Sequence, residues 1–151
     1  MIFSLLVAAS LAPATADCRI IAFSRSRALA RSKQEICIER GGVAGQFVLR
    51  RSSTDRSGAV SVAFTNTSDC PGVLPLLGKI EQLELPRPDL PGFGKELEFV
   101  TMDGAGYSLT APALYGGAMS QLVVQSNVNT PLAQWIDRML KALEPCWRGE
   151  G

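Results

Sequence analysis

Four cysteines, Cys18, Cys37, Cys70 and Cys146, constrain the fold of this 151-residue chain more than any other feature. They lie 19, 33 and 76 residues apart, no C-x-x-C occurs, and the chain has no histidine. Zinc sites, thioredoxin-like redox motifs and haem attachment therefore lack their ligands. An even set of widely spaced cysteines is what an oxidising compartment pairs into disulfides.

The N-terminal stretch points to such a compartment. MIFSLLVAASLAPATA (residues 1–16) is a short apolar run ending in Ala14-Thr15-Ala16, the shape of a secretory cleavage site. No Lys or Arg precedes Arg19, which leaves two readings of the missing basic segment: a start codon placed elsewhere, or an α-amine that supplies the only positive charge. The run is shorter than the about 20 apolar residues of a membrane-spanning helix. Acylation of Cys18 is disfavoured because acidic Asp17, rather than a small residue, stands before it. We expect a signal peptide over 1–16, one domain over 17–151, a periplasmic or extracellular location, and no transmembrane segment in the mature chain.

Turn-bounded stretches of β-branched and apolar alternation mark the strands. They are Arg19 to Ser24, Glu35 to Arg40, Gln46 to Arg51, Ala59 to Thr65, Glu96 to Met102, Tyr107 to Thr110 and Gln121 to Ser126. In AVSVAFT, Val60, Val62 and Phe64 point one way and Ser61, Ala63 and Thr65 the other, a half-buried strand. The clearest helix follows Thr130, an N-cap residue, with Pro131 at the first helical position. Leu132, Trp135, Ile136, Met139, Leu140 and Leu143 form an apolar stripe, and Pro145 ends the run. A second helix is predicted within Pro71 to Glu84, its regular part starting at Pro75 because an interior proline removes a hydrogen bond. LPRPDLPGFGK then reads as an extended connector.

The two halves follow one order of elements. A shift of 60 residues lays Phe47 to Leu83 over Tyr107 to Leu143, strand over strand and Pro71 over Pro131, although few residues are identical. The expected fold class is α+β: an antiparallel sheet covered on one face by two helices, compatible with two βββα units and stapled by two disulfides. If Ile36 and Ile38 face the core, Cys37 lies on the opposite face, the face that Cys18 shares. Cys70 precedes the first helix and Cys146 follows the second. Cys18–Cys37 and Cys70–Cys146 are the favoured pairs among three connectivities.

Catalytic sets are hard to assemble from these residues. Without histidine there is no Ser-His-Asp or Cys-His arrangement. Asp103 sits in MDGAGYSL beside glycine, where aspartate is ordinary turn chemistry. Glu81, Glu84, Glu96 and Glu98 select no pair of the kind glycoside hydrolysis needs. Neither Lys79 nor Lys95 follows a serine at the spacing of a Ser-x-x-Lys nucleophile. Asn66-Thr67-Ser68 matches a glycosylation acceptor, a common motif. We expect no catalytic residues, no cofactor and no metal.

Charge is uneven. Asp17 to Arg56 holds nine Lys and Arg against four Asp and Glu, and Ser57 to Gly151 six against ten. The basic half suits an anionic or acidic partner, but no aromatics interleave its arginines, so nucleic acid is not expected. The expected function is a non-catalytic binding or envelope-associated module whose partner is a macromolecule or envelope component. Arg25, Arg27 and Arg31, in a loop running to Lys33, and Tyr115, in a loop from Ala111 to Met119, are the candidate partner contacts. A carboxylate-dependent secreted hydrolase and a secreted inhibitor of another enzyme are the alternatives.

Overall fold

The structure, a computed structural model, describes Cys18, residues 20–87 and residues 104–149. The stretch expected to be a signal peptide, the strand expected over Glu96 to Met102, most of the proline-rich connector, Lys95 and Asp103 lie outside the described residues. The elements in chain order are β1 (Ile21–Arg27), β2 (Ser32–Arg40), β3 (Phe47–Thr54), β4 (Val60–Asn66), α1 (Leu74–Leu77), β5 (Ala105–Tyr115), β6 (Ala118–Ser126), α2 (Pro131–Leu143) and β7 (Arg148–Gly149). All strand pairs are antiparallel, in the order β6-β5-β1-β2-β3-β4-β7.

Alternation along each strand divides the sheet into two faces. Phe23 lies opposite both Ile36 and Leu109, and Leu109 opposite Val124. All four are buried, and they form the apolar floor on which the helices lie. The stripe of α2 covers this floor, with Trp135, Ile136, Met139 and Leu143 almost fully buried. Each such side chain contributes roughly 1.5–3 kcal/mol by leaving water. Thr130 caps α2 as expected, its hydroxyl accepting from the Ala133 N–H at 3.1 Å, and Pro131 occupies the first turn. Phe23 meets Trp135 edge to face at 5.2 Å, and the Trp135 indole N–H donates to the Leu76 carbonyl at 2.8 Å. One side chain thus ties β1, α1 and α2 together.

The first helical segment is more broken than its apolar stripe suggests. A 3-10 turn at Pro71–Val73 leads into the single α turn Leu74–Leu77 and a second 3-10 stretch at Gly78–Gln82. Pro75 accounts for this: it sits near the start of the α turn, where its missing N–H costs nothing, and it prevents one continuous helix from Pro71.

Both expected disulfides are present. Cys18–Cys37 crosses the face away from the helices, and Cys70–Cys146 joins the start of the first helical segment to the end of the second, with Cα atoms 5.4 and 5.8 Å apart.

Two features of the repeat differ from a gapless overlay. The edge of β5 away from β6 is taken by β1, from the N-terminal end of the described chain, so β6-β5-β1 mirrors β4-β3-β2. The register also slips by one in the last strand of each unit. Leu49 pairs with Thr65, whereas its counterpart Leu109 pairs with Val124. Consequently β4 turns Ala63 and Thr65 toward the helices, both 5% exposed, and leaves Val60 and Phe64 on the open face at 53% and 38%. Its half-burial runs opposite to its hydropathy, because register with β3, not the side chains of β4, decides which residues face inward.

Candidate functional site

The helices do not cover the whole of their face. Continuing along β1 past Phe23, alternation brings Arg25 and Arg27 onto the helix-facing side. Arg25 lies between Tyr107 of β5 and Gln34 of β2, and Gln34 continues through Ser53 to Ser61. Arg27 lies between Ala105 and Ser32. Where the neighbouring rows carry isoleucine, leucine and phenylalanine, these two rows carry guanidinium, amide and hydroxyl groups. A recess of about 320 Å³ opens there, lined by Arg25, Arg27, Gln34, Ser53, Asp55 and Ser61 among others.

Asp137, on the polar side of α2, reaches Arg25 beside the recess. Arg25 Nη1 donates to Asp137 Oδ1 at 2.8 Å and Arg25 Nη2 to Gln34 Oε1 at 3.1 Å. The Tyr107 hydroxyl donates to Asp137 Oδ2 at 3.0 Å. Burial, reinforced by the bond to the Asp137 carboxylate, holds the Tyr107 phenol above its usual pKa. Arg25 is therefore oriented, with its side chain 22% exposed. Arg27 is exposed, and among the described residues its side chain has no ion pair or hydrogen bond. The Ser53 hydroxyl is buried without a partner there.

The one carboxylate lining the recess is committed elsewhere. Asp55 accepts from the Ser57 hydroxyl at 2.6 Å, the Ser57 N–H at 2.8 Å and the Ala59 N–H at 3.0 Å, closing the turn between β3 and β4. The Ser57 hydroxyl is the main reason that its carboxyl sits below the ordinary aspartate pKa. What remains in the recess is a set of donors, guanidinium N–H groups and serine hydroxyls, suited to donating to an anion's oxygens.

The structure brings Arg25 and Arg27 together but not the other two expected contacts. Arg25 and Arg27 belong to β1 and Lys33 to β2, so the predicted loop shrinks to the turn Ala28–Arg31. Arg31 is exposed in that turn, at a φ of 46°. Tyr115 ends β5, roughly 26 Å along the strand from Tyr107 at 3.3 Å per residue. The expected loop from Ala111 to Met119 is strand on both sides of a two-residue Gly116-Gly117 turn, both glycines having positive φ.

Other sequence candidates lie elsewhere. Glu81, Glu84 and Lys79 are exposed near the end of the first helical segment. Asn66 is engaged in a turn, its side-chain Oδ1 accepting from the Ser68 and Asp69 N–H groups. Trp147 lies half-buried beside Cys146, with the Arg51 guanidinium 4.9 Å above its ring. Among the described residues, no group of three or more Cys, Asp or Glu is placed to hold a metal ion, and no helix is long and apolar enough to cross a membrane.

Fold and recess together define a disulfide-stapled α+β domain: a sheet with helices on one face and an uncovered cationic corner on that face. No protein-family model, no curated protein and no solved structure matches the chain.

Proposed function

We propose that this chain is a non-catalytic binding module of an oxidising compartment, periplasmic or extracellular, that holds an anionic group of its partner in the Arg25–Arg27 recess. The observation that carries the reading is the corner of the helix-facing sheet where two arginines replace apolar residues in phase with Ile21 and Phe23. Arg27, exposed at the mouth of the recess and without an ion pair or hydrogen bond among the described residues, and the buried, unpartnered Ser53 hydroxyl are the donors that phosphate, sulfate or carboxylate would use, beside an Arg25 already oriented by Asp137 and Gln34. Two disulfides support the compartment, since structural disulfides persist where the surroundings are oxidising. Against a carboxylate-dependent hydrolase at the recess stands the state of nearby acids: Asp55, which lines it, is bonded to its own turn, and Asp137, beside it, to Arg25 and Tyr107.

Titration of the isotopically labelled oxidised chain with inorganic phosphate, sulfate and acetate tests this reading. Saturable amide shifts are expected at Arg27, Gln34, Ser53 and Ser61, and Arg27→Ala should remove them without changing the thermal melt. Shifts confined to other surfaces, or an Arg27→Ala variant that binds equally well, would overturn it.

A further inference from the structure

Not one Asp, Glu, Lys or Arg lies between Asp103 and Asp137. The hairpin of β5 and β6 is therefore uncharged on both faces and along its edge. Its apolar side chains are also unusually open: Leu114 is 73% exposed, Tyr115 83%, Met119 75% and Val123 56%. Among the described residues β6 ends the sheet, and no strand pairs with its outer side. The opposite edge is treated differently, since β7 pairs with β4 at Ala63 and Phe64, and Arg148 of β7 reaches Asp69 at 3.4 Å.

Free edges are normally blunted by lysine, proline or a bulge because their N–H and C=O groups recruit other strands. β6, AMSQLVVQS, has neither a charge nor a proline over nine residues. The partner that satisfies such an edge is a strand, and the one that fits the uncharged surface has no charge to desolvate. β6 itself meets both requirements. Antiparallel pairing with a second copy about a two-fold axis at Gln121 sets Met119 against Val123 of the second copy, and the reverse, on the open face. Leu114, directly opposite Met119 on β5, extends that apolar contact. Gln121 meets its own counterpart, and Ser120 meets Leu122 on the other face. The cationic recess lies beyond β1 on the far side of the sheet, so identical charges are not brought together.

We propose that the chain is a homodimer joined β6 to β6 around Gln121, with one continuous sheet running through both copies. This inference rests on the edge alone and is independent of what the arginine recess binds.

Sedimentation equilibrium of the oxidised chain should give twice the monomer mass. The Met119→Lys/Val123→Lys double variant should give the monomer mass with an unchanged circular dichroism spectrum. Gln121→Cys places two thiols across the axis and should cross-link on mild oxidation, whereas Ser108→Cys, on the same face but one strand inward, should not. A monomeric wild-type chain, a dimer that survives both lysines, or equal cross-linking from Cys at 108 and 121 would overturn the proposal. So would a monomer whose β6 edge takes up an unrelated extended peptide.

Discussion

The Arg25 guanidinium donates to the Asp137 carboxylate at 2.8 Å across the boundary between sheet and α2. This contact lies where the apolar floor gives way to the recess, so it anchors the helix and aims the arginine at once. Half-exposed Asp137 places the pair between a screened surface bridge and a buried one. Asp137→Ala should cost about 1–2 kcal/mol, because it also leaves the Tyr107 hydroxyl without its acceptor. Tyr107→Phe should cost about 1 kcal/mol. A double-mutant cycle by urea denaturation should return less than the sum, since both variants remove the same hydrogen bond.

The two displaced pKa values act at opposite ends of the pH scale. Tyr107 is raised in the folded chain, so its contribution is present below the unfolded value of about 10 and is lost as pH rises through the folded value. Tyr107→Phe should flatten the alkaline limb of a stability profile. Asp55 is lowered, so its contribution is present above the unfolded value of about 3.9 and is lost as pH falls through the folded value. The Ser57 and Ala59 amide resonances should report that acid transition, and it should be absent in Asp55→Asn.

Trp135 carries both packing and a hydrogen bond. Trp135→Ala should cost about 3–5 kcal/mol, the usual cost for a large buried aromatic. Trp135→Phe keeps the edge contact with Phe23 but leaves the Leu76 carbonyl without its donor, and should cost about 1–3 kcal/mol. Denaturant midpoints with unchanged slopes would check both.

The two disulfides should differ in worth. Chain entropy gives about 3 kcal/mol for Cys18–Cys37 and about 4.5 kcal/mol for the longer Cys70–Cys146 loop. Cys70→Ala/Cys146→Ala should therefore lower the melting temperature further than Cys18→Ala/Cys37→Ala.

Much of the architecture was legible because it rests on local periodicity. The stripe from Leu132 to Leu143 could be read without tertiary information, and so could Thr130 as its cap. The cysteine pairs followed from face and element order: Cys37 is out of phase with Ile36 and Ile38, and Cys70 and Cys146 flank the two helical segments. The face of β4 was not legible. Val60, Val62 and Phe64 form the more apolar set, yet pairing of Leu49 with Thr65 turns them outward, and register is a property of two strands rather than one.

The recess was half legible. Arg25 and Arg27 stand out in the sequence as charges beyond the strand expected over Arg19 to Ser24, and in the fold they continue the alternation of Ile21 and Phe23. Extending that period by four residues would have placed them on the helix side. Gln34, Ser53 and Ser61 gave no comparable signal, because serine and glutamine are ordinary on any strand. Asp137 looked like one more polar residue of an amphipathic helix; its bonds to Arg25 and Tyr107 exist only once α2 lies across the sheet.

The proposed binding role requires an exported domain whose four sulfurs are committed to crosslinks. Intact mass measurement of the protein from its native source, alkylated before and after reduction, tests this directly. We predict a chain beginning at Asp17 that takes up no alkyl groups before reduction and four after it. A full-length chain with four thiols open to alkylation at once would contradict the compartment, the staples and the binding role built on them.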